Sequence, residues 1–156
     1  MASRSAARLS ELGIVLPGPA APVGSYVPYV LAGDLLFVSG QLPFVDGKLA
    51  LSGRVGVDLT LAQGQEAARL CAINALAQMK AAAGDLDQVR RILRVVVYIA
   101  AAADFTQHPE VANGASDLLV AVLGDAGRHV RTAVSSPSLP RNAPVEVEVT
   151  AELAGT

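Results

Sequence analysis

Residues 145–153, VEVEVTAEL, alternate without a break: Val145, Val147, Val149, Ala151 and Leu153 fall on one side, and Glu146, Glu148, Thr150 and Glu152 on the other. A helix would scatter those apolar residues around its circumference, so the run specifies a β-strand with one buried face and one polar face. The stretch VRTAVSS at 130–136 repeats the pattern less strictly, with Val130, Thr132 and Val134 opposed to Arg131, Ala133 and Ser135. One arginine and three glutamates therefore stand on polar strand faces, turned either to water or to a ligand.

The remaining elements follow from similar signals. Residues 29–32 and 35–42 flank a Gly33-Asp34 turn and read as a hairpin, and a short third strand is expected over 48–51 after the turn residues Asp46-Gly47. Thr60 and Gln63 form a capping-box pattern ahead of Ala68, Ala72, Ala75 and Met79 at helical spacing, so a long helix is expected over 61–83, stopped by Gly84. The β-branched run ILRVVVYIA at 92–100 has the pattern of a central strand covered on both faces. A second helix opens near Pro109, carries Val111, Ala115, Leu118 and Val122 on one face, and ends at Gly124. The order β-β-β-α-β-α-β-β predicts an α+β fold: a mixed sheet with two helices on one face, because right-handed crossovers put both on the same side. The other face has no helix to cover it. Ahead of this unit, residues 1–23 read as a short helical segment and a proline-rich arm, leaving 24–156 as one domain.

Composition narrows the function classes. Charged residues make up only 17% of the chain and apolar residues 52%, against about 25% charged in ordinary soluble domains, so part of the apolar surface is expected to be buried between subunits. A net charge of −2 and the absence of Lys/Arg clusters give no footprint for nucleic acid. Residues 12–33 carry no charge, but Pro17, Pro19, Pro22 and Pro28 would leave backbone groups unpaired in lipid, so no membrane span is expected. The single Cys71 lies in a helical pattern and reads as an inert core thiol, which fits a cytoplasmic location. Nucleotide-binding glycine motifs, a nucleophile elbow and paired Cys/His spacing are all missing, so neither metal nor cofactor is expected. His108 and His129 stand apart from each other and from acidic partners, in positions suited to caps, turns or surface.

The strands at 130–136 and 145–153 remain as carriers of chemistry. Folded as a hairpin about their proline-rich connector, they would set Arg131 roughly opposite Glu146. That pair is either a wet cross-strand ion pair, worth about 0–1 kcal/mol, or the two poles of a pocket.

The blocks GSYVP at 24–28, FVSGQLP at 37–43, Asn113, Arg131 and LPRNAPVEVEVTA at 139–151 together resemble the Rid (YjgF) family of imine and enamine deaminases, from about Gly24 to Leu153. The resemblance implies a chorismate-mutase-like fold, a homotrimer with a barrel-like interior, and ligand sites between subunits. It further implies that Arg131 holds a substrate carboxylate, that Glu146 positions the attacking water, and that Tyr26, Ser39, Gly40 and Asn113 line the same cleft. Ala133 stands in that cleft where many archetypal members have cysteine, so thiol-dependent behaviour does not carry over. The N-terminal extension marks a divergent subgroup.

Elementary chemistry is compatible with these roles. A guanidinium grips a planar carboxylate with two parallel hydrogen bonds, which lysine cannot do. A carboxylate beside the C=N bond can orient water and shuttle protons. The Tyr26 ring either caps an apolar substrate group or plugs a subunit interface. Gly40 either lets a ligand approach the backbone or relieves a bulge, and Asn113, a poor helix former, is there for a hydrogen bond, to a ligand or within the fold. Glu148 and Glu152 read as solvated or structural. The expected activity is hydrolysis of 2-imino or 2-enamino acids to 2-keto acids and ammonia; the alternative is a non-catalytic trimer that binds small carboxylate metabolites.

Overall fold

The computed structural model describes residues 2–155. Ten helices and strands follow in order: α1 (Arg4–Glu11), β1 (Tyr29–Ala32), β2 (Leu35–Gln41), β3 (Phe44–Val45), β4 (Lys48–Leu49), α2 (Leu61–Ala83), β5 (Val89–Ala100), α3 (His108–Leu123), β6 (Val130–Ser136) and β7 (Val145–Leu153). Short 3-10 turns connect several of them. The main sheet has the order β1-β2-β7-β5-β6, antiparallel except for the parallel pair β5/β6. Helices α2 and α3 cover one face, as right-handed crossovers require. The expected third strand at 48–51 is only half of a two-residue ribbon with β3, outside the main sheet.

Burial explains the strand order. Ile92, Val95, Val97 and Ile99 of β5 and Val145, Val147, Val149 and Ala151 of β7 are all fully or almost fully buried, so these two strands occupy the middle. The expected hairpin of β6 with β7 does not form. The crossover through α3 lays β6 beside β5, and β7 returns on the far side, between β5 and β2. β6, with Val130 and Val134 exposed, is left as an edge.

The capping box is present in both directions at the start of α2: the Thr60 side chain accepts from the Gln63 backbone N–H, and the Gln63 side chain accepts from the Thr60 N–H. The alanine face of α2 lies against α3 so closely that a Cβ on Gly114 would stand 2.8 Å from the Gln65 carbonyl carbon. Helix α1 docks on the turn before β5. Asp87 accepts from the backbone N–H groups of Arg4 (2.7 Å) and Ser5 (2.9 Å), and these bonds, the one from Ser5 first, hold its carboxyl down at about 2. Cys71 is fully buried, which pushes its thiol well above the ordinary range. No helix among the described residues is long and apolar enough to cross a membrane.

Candidate active site

Strand pairing sorts the polar residues onto the two faces of the sheet. Arg131, Ala133 and Ser135 of β6 sit beside Val95, Val97 and Ile99, whose side chains join the core under the helices. Glu146 and Glu148 of β7 sit beside Tyr98 and Val96 on the other, helix-free face. Within one chain Arg131 and Glu146 thus lie on opposite faces with β5 between them. The cross-strand pair expected from a hairpin is corrected: the connector was long enough to admit another strand, and the period-two signal names faces without naming neighbours.

Arg131 is the centre of one half-site. Its Nη1 donates to Asn113 Oδ1 (2.8 Å) and to Ser116 Oγ (3.1 Å), and its Nη2 donates to the Pro109 carbonyl (3.3 Å). Asn113 and Ser116 lie three residues apart on α3 and so share a helix face. These bonds leave Nε–H and one Nη2–H without a partner among the described residues, and those two nitrogens form one edge of the guanidinium fork. A carboxylate can accept from such unspent donors.

A second layer holds the first. The Gly127 carbonyl can only accept, so His129 Nδ1 donates to it (2.6 Å). Burial, and secondarily Arg131, lower the His129 pKa and favour the neutral ring. Nε2 is then an acceptor for the Ser116 hydroxyl (2.9 Å), which leaves the Ser116 oxygen free to receive Arg131. Ser116 was not singled out in the sequence, Pro109 was read only as the opening of the helix, and His129 only as a cap, turn or surface residue. The i, i+3 spacing of Asn113 and Ser116 and the period-two spacing of His129 and Arg131 were the signals that could have found them. His108, in turn, bonds Ser135 of the same β6 face and meets the Phe105 ring edge-on.

Glu146 is the centre of the other half-site, a cavity of about 310 Å³ lined by Tyr26, Ser39, Gly40, Pro140 and residues of the N-terminal arm. Burial, and secondarily the neighbouring Glu148, raise the Glu146 pKa above its ordinary value. Ser39 and Gly40 lie within β2 where its register with β7 shifts between Val38 and Gln41. The bulge is real, yet Gly40 has a second reason to lack a side chain: a Cβ there would stand 2.8 Å from the Glu146 carboxyl carbon. The Ser39 hydroxyl donates to the Pro28 carbonyl (3.0 Å). Tyr26 is about half exposed, and its hydroxyl oxygen accepts the Val23 N–H (3.1 Å), so its own proton is free to be donated. Glu148 accepts from the Tyr98 hydroxyl (3.1 Å), and Glu152 forms an exposed ion pair with Arg90 (3.4 Å).

The structure therefore brings Tyr26, Ser39 and Gly40 together around Glu146, and Asn113 and Ala133 to the side of Arg131. It does not bring the two groups together in one chain. No group of three metal-ligating side chains gathers among the described residues.

Known proteins share this arrangement of elements. Over 151 residues the chain is 48% identical to Protein TCP17 of Trypanosoma cruzi, covering 96% of this chain and 94% of that protein. The crystal structure of protein Atu1372 of Agrobacterium tumefaciens, of unknown function, is similar at 47% identity and a TM-score of 0.90, over 96% of this chain and 92% of that one. A Shewanella oneidensis protein described as a "putative endoribonuclease" is 39% identical with a TM-score of 0.94, over 97% of this chain and all of the other. The family model described as "YjgF/chorismate mutase-like, putative endoribonuclease" matches residues 6–153. With the mixed sheet, the helices on one face and the relatives in agreement, the chain belongs to the YjgF/chorismate-mutase-like family.

Proposed function

We propose that the protein is a cofactor-independent deaminase that hydrolyses 2-imino or 2-enamino acids to 2-keto acids and ammonia, at sites assembled between the copies of a homotrimer. The observation that carries this reading is the guanidinium of Arg131, held by three acceptors while Nε–H and one Nη2–H have no partner among the described residues. Arg131 and Glu146 face opposite sides of one sheet, so a site using both takes the arginine from one copy and the glutamate from the next. The helix-free sheet face supports such packing, since Val30, Phe37, Val130 and Val134 expose apolar surface on it.

In this reading the substrate carboxylate lies on the open edge of Arg131, with the C=N carbon toward the partner's Glu146. The Glu146 carboxylate takes a proton from water as the water oxygen bonds to the carbon of the protonated imine and the C=N electron pair moves to nitrogen, giving a neutral carbinolamine. Glu146 then passes that proton to the amine nitrogen; as the hydroxyl proton returns to Glu146 and C=O forms, the C–N bond breaks and ammonia leaves with the bonding pair, and transfer of the last proton to ammonia frees the 2-keto acid and regenerates the Glu146 carboxylate. Its raised pKa suits a group that must take and return a proton in one turnover. Imines already hydrolyse in water, so orientation and proton transfer are the whole task.

The test is to generate imines in place with an amino-acid oxidase and follow release of the 2-keto acid. Acceleration that disappears in Arg131→Ala, with assembly kept, supports the reading. Tight 2-keto acid binding without acceleration would replace it with the binding-only alternative, and RNA cleavage dependent on the same arginine would replace it with the activity in the family's description.

A further inference from the structure

The proline-rich segment between α1 and β1 is bound to the body at several points. Helix α1 is fixed at Asp87, and Arg8 donates to the Val122 carbonyl (3.3 Å). Farther along, Gln78 of α2, fully buried among alanines, donates from Nε2 to the Ala20 carbonyl (2.8 Å). A buried amide in such a helix would be costly without a partner, and the arm supplies one. Gly24, with φ 153°, then turns the chain so that Tyr26 folds back and its hydroxyl meets the Val23 N–H.

So fastened, Ala20, Ala21, Pro22 and Val23 form one wall of the 310 Å³ cavity that holds Glu146. The same segment also borders a second cavity of about 600 Å³, shared with Phe44, Asn74 and Arg141. On the Glu146 side the lining is apolar apart from Glu146 and the polar groups of Tyr26, Ser39 and Gln41, with no cation to receive a second negative charge.

We infer that the arm segment Ala20–Val23 is the specificity wall of the site, admitting acids with uncharged aliphatic side chains and setting their size. This rests on the proposed placement of the substrate between Glu146 and the partner's Arg131. The carboxylate is claimed by the arginine, so the substrate side chain is what remains to fill the apolar cavity. A second carboxylate there would meet Glu146 and apolar carbon, which disfavours acidic side chains. Shape rejection across one aliphatic wall is worth about tenfold or somewhat more per methylene-sized change.

Two variants change the wall in opposite directions, Ala21→Leu to fill the cavity and Val23→Ala to open it. Their kcat/KM values are compared with wild type for imines derived from alanine, leucine and glutamate. Wild type is expected to disfavour the glutamate-derived imine. A21L is expected to lower the leucine-to-alanine ratio by about tenfold and V23A to raise it by several-fold. Equal effects on both substrates, or none, would overturn the inference. If wild type turns over no imine, the deaminase reading falls separately. Calorimetry with the matching 2-keto acids then decides the wall: a shifted affinity ratio upholds it, and an unshifted one overturns it.

Discussion

Both Nη1 hydrogens of Arg131 are taken by Asn113 and Ser116, so only the geometry of a guanidinium leaves an edge for a ligand. Arg131→Lys keeps the charge but cannot both bond α3 and clamp a carboxylate. It should cost about 10- to 100-fold in kcat/KM, the worth of one charge-assisted hydrogen bond of about 1.5–3 kcal/mol, and steady-state kinetics will check it. Glu146→Gln should instead lower kcat by about 10²- to 10⁴-fold while calorimetry still finds 2-keto acid bound. The same variant tests the electrostatics. A carboxyl whose folded pKa is raised favours folding fully below its ordinary value of 4.5, and that contribution is lost as pH rises through the folded value. E146Q, always neutral, should therefore melt above wild type at neutral pH, with the difference closing in acid. At this scale the grouping of Tyr26, Ser39 and Gly40 with Glu146 was legible only through the family resemblance, and the cross-strand pairing of Arg131 with Glu146 read from the alternation does not hold within one chain. The reason for Gly40 was only half visible, because the approach of Glu146 to its backbone is tertiary. The Ser116–His129 support was not seen, because each residue is ordinary in its own segment.

The seam between α2 and α3 is the tightest joint that positions Arg131, since Asn113 and Ser116 flank Gly114 where it touches the Gln65 backbone. Gly114→Ala must push the helices apart and should lower stability by about 1–3 kcal/mol, measurable by denaturant unfolding, with a parallel loss of affinity for 2-keto acids as the arginine's partners move. Helix boundaries were readable because capping box, alanine face and stopping glycine all agree. Strand adjacency was not. β6 and β7 are consecutive and both alternate, yet the burial demanded by β5 and β7 places these two side by side and sends β6 to the edge.

For the whole molecule, the charged fraction of 17% matches a sheet face left uncovered, with Phe37 and Val134 more than a third exposed. A charge at Val134, as in Val134→Glu, should dissociate the assembly in sedimentation experiments and remove activity with it, although the residue touches neither half-site's polar groups. The central claim is that each site draws its arginine and its glutamate from different copies. The most direct measurement mixes inactive Arg131→Ala with inactive Glu146→Gln under conditions of subunit exchange, with hybrids verified by native mass spectrometry. Shared sites predict recovery of activity to roughly one quarter of wild type, the fraction of interfaces that random mixing makes intact in a cyclic assembly. Hybrids that form and stay inactive would contradict it.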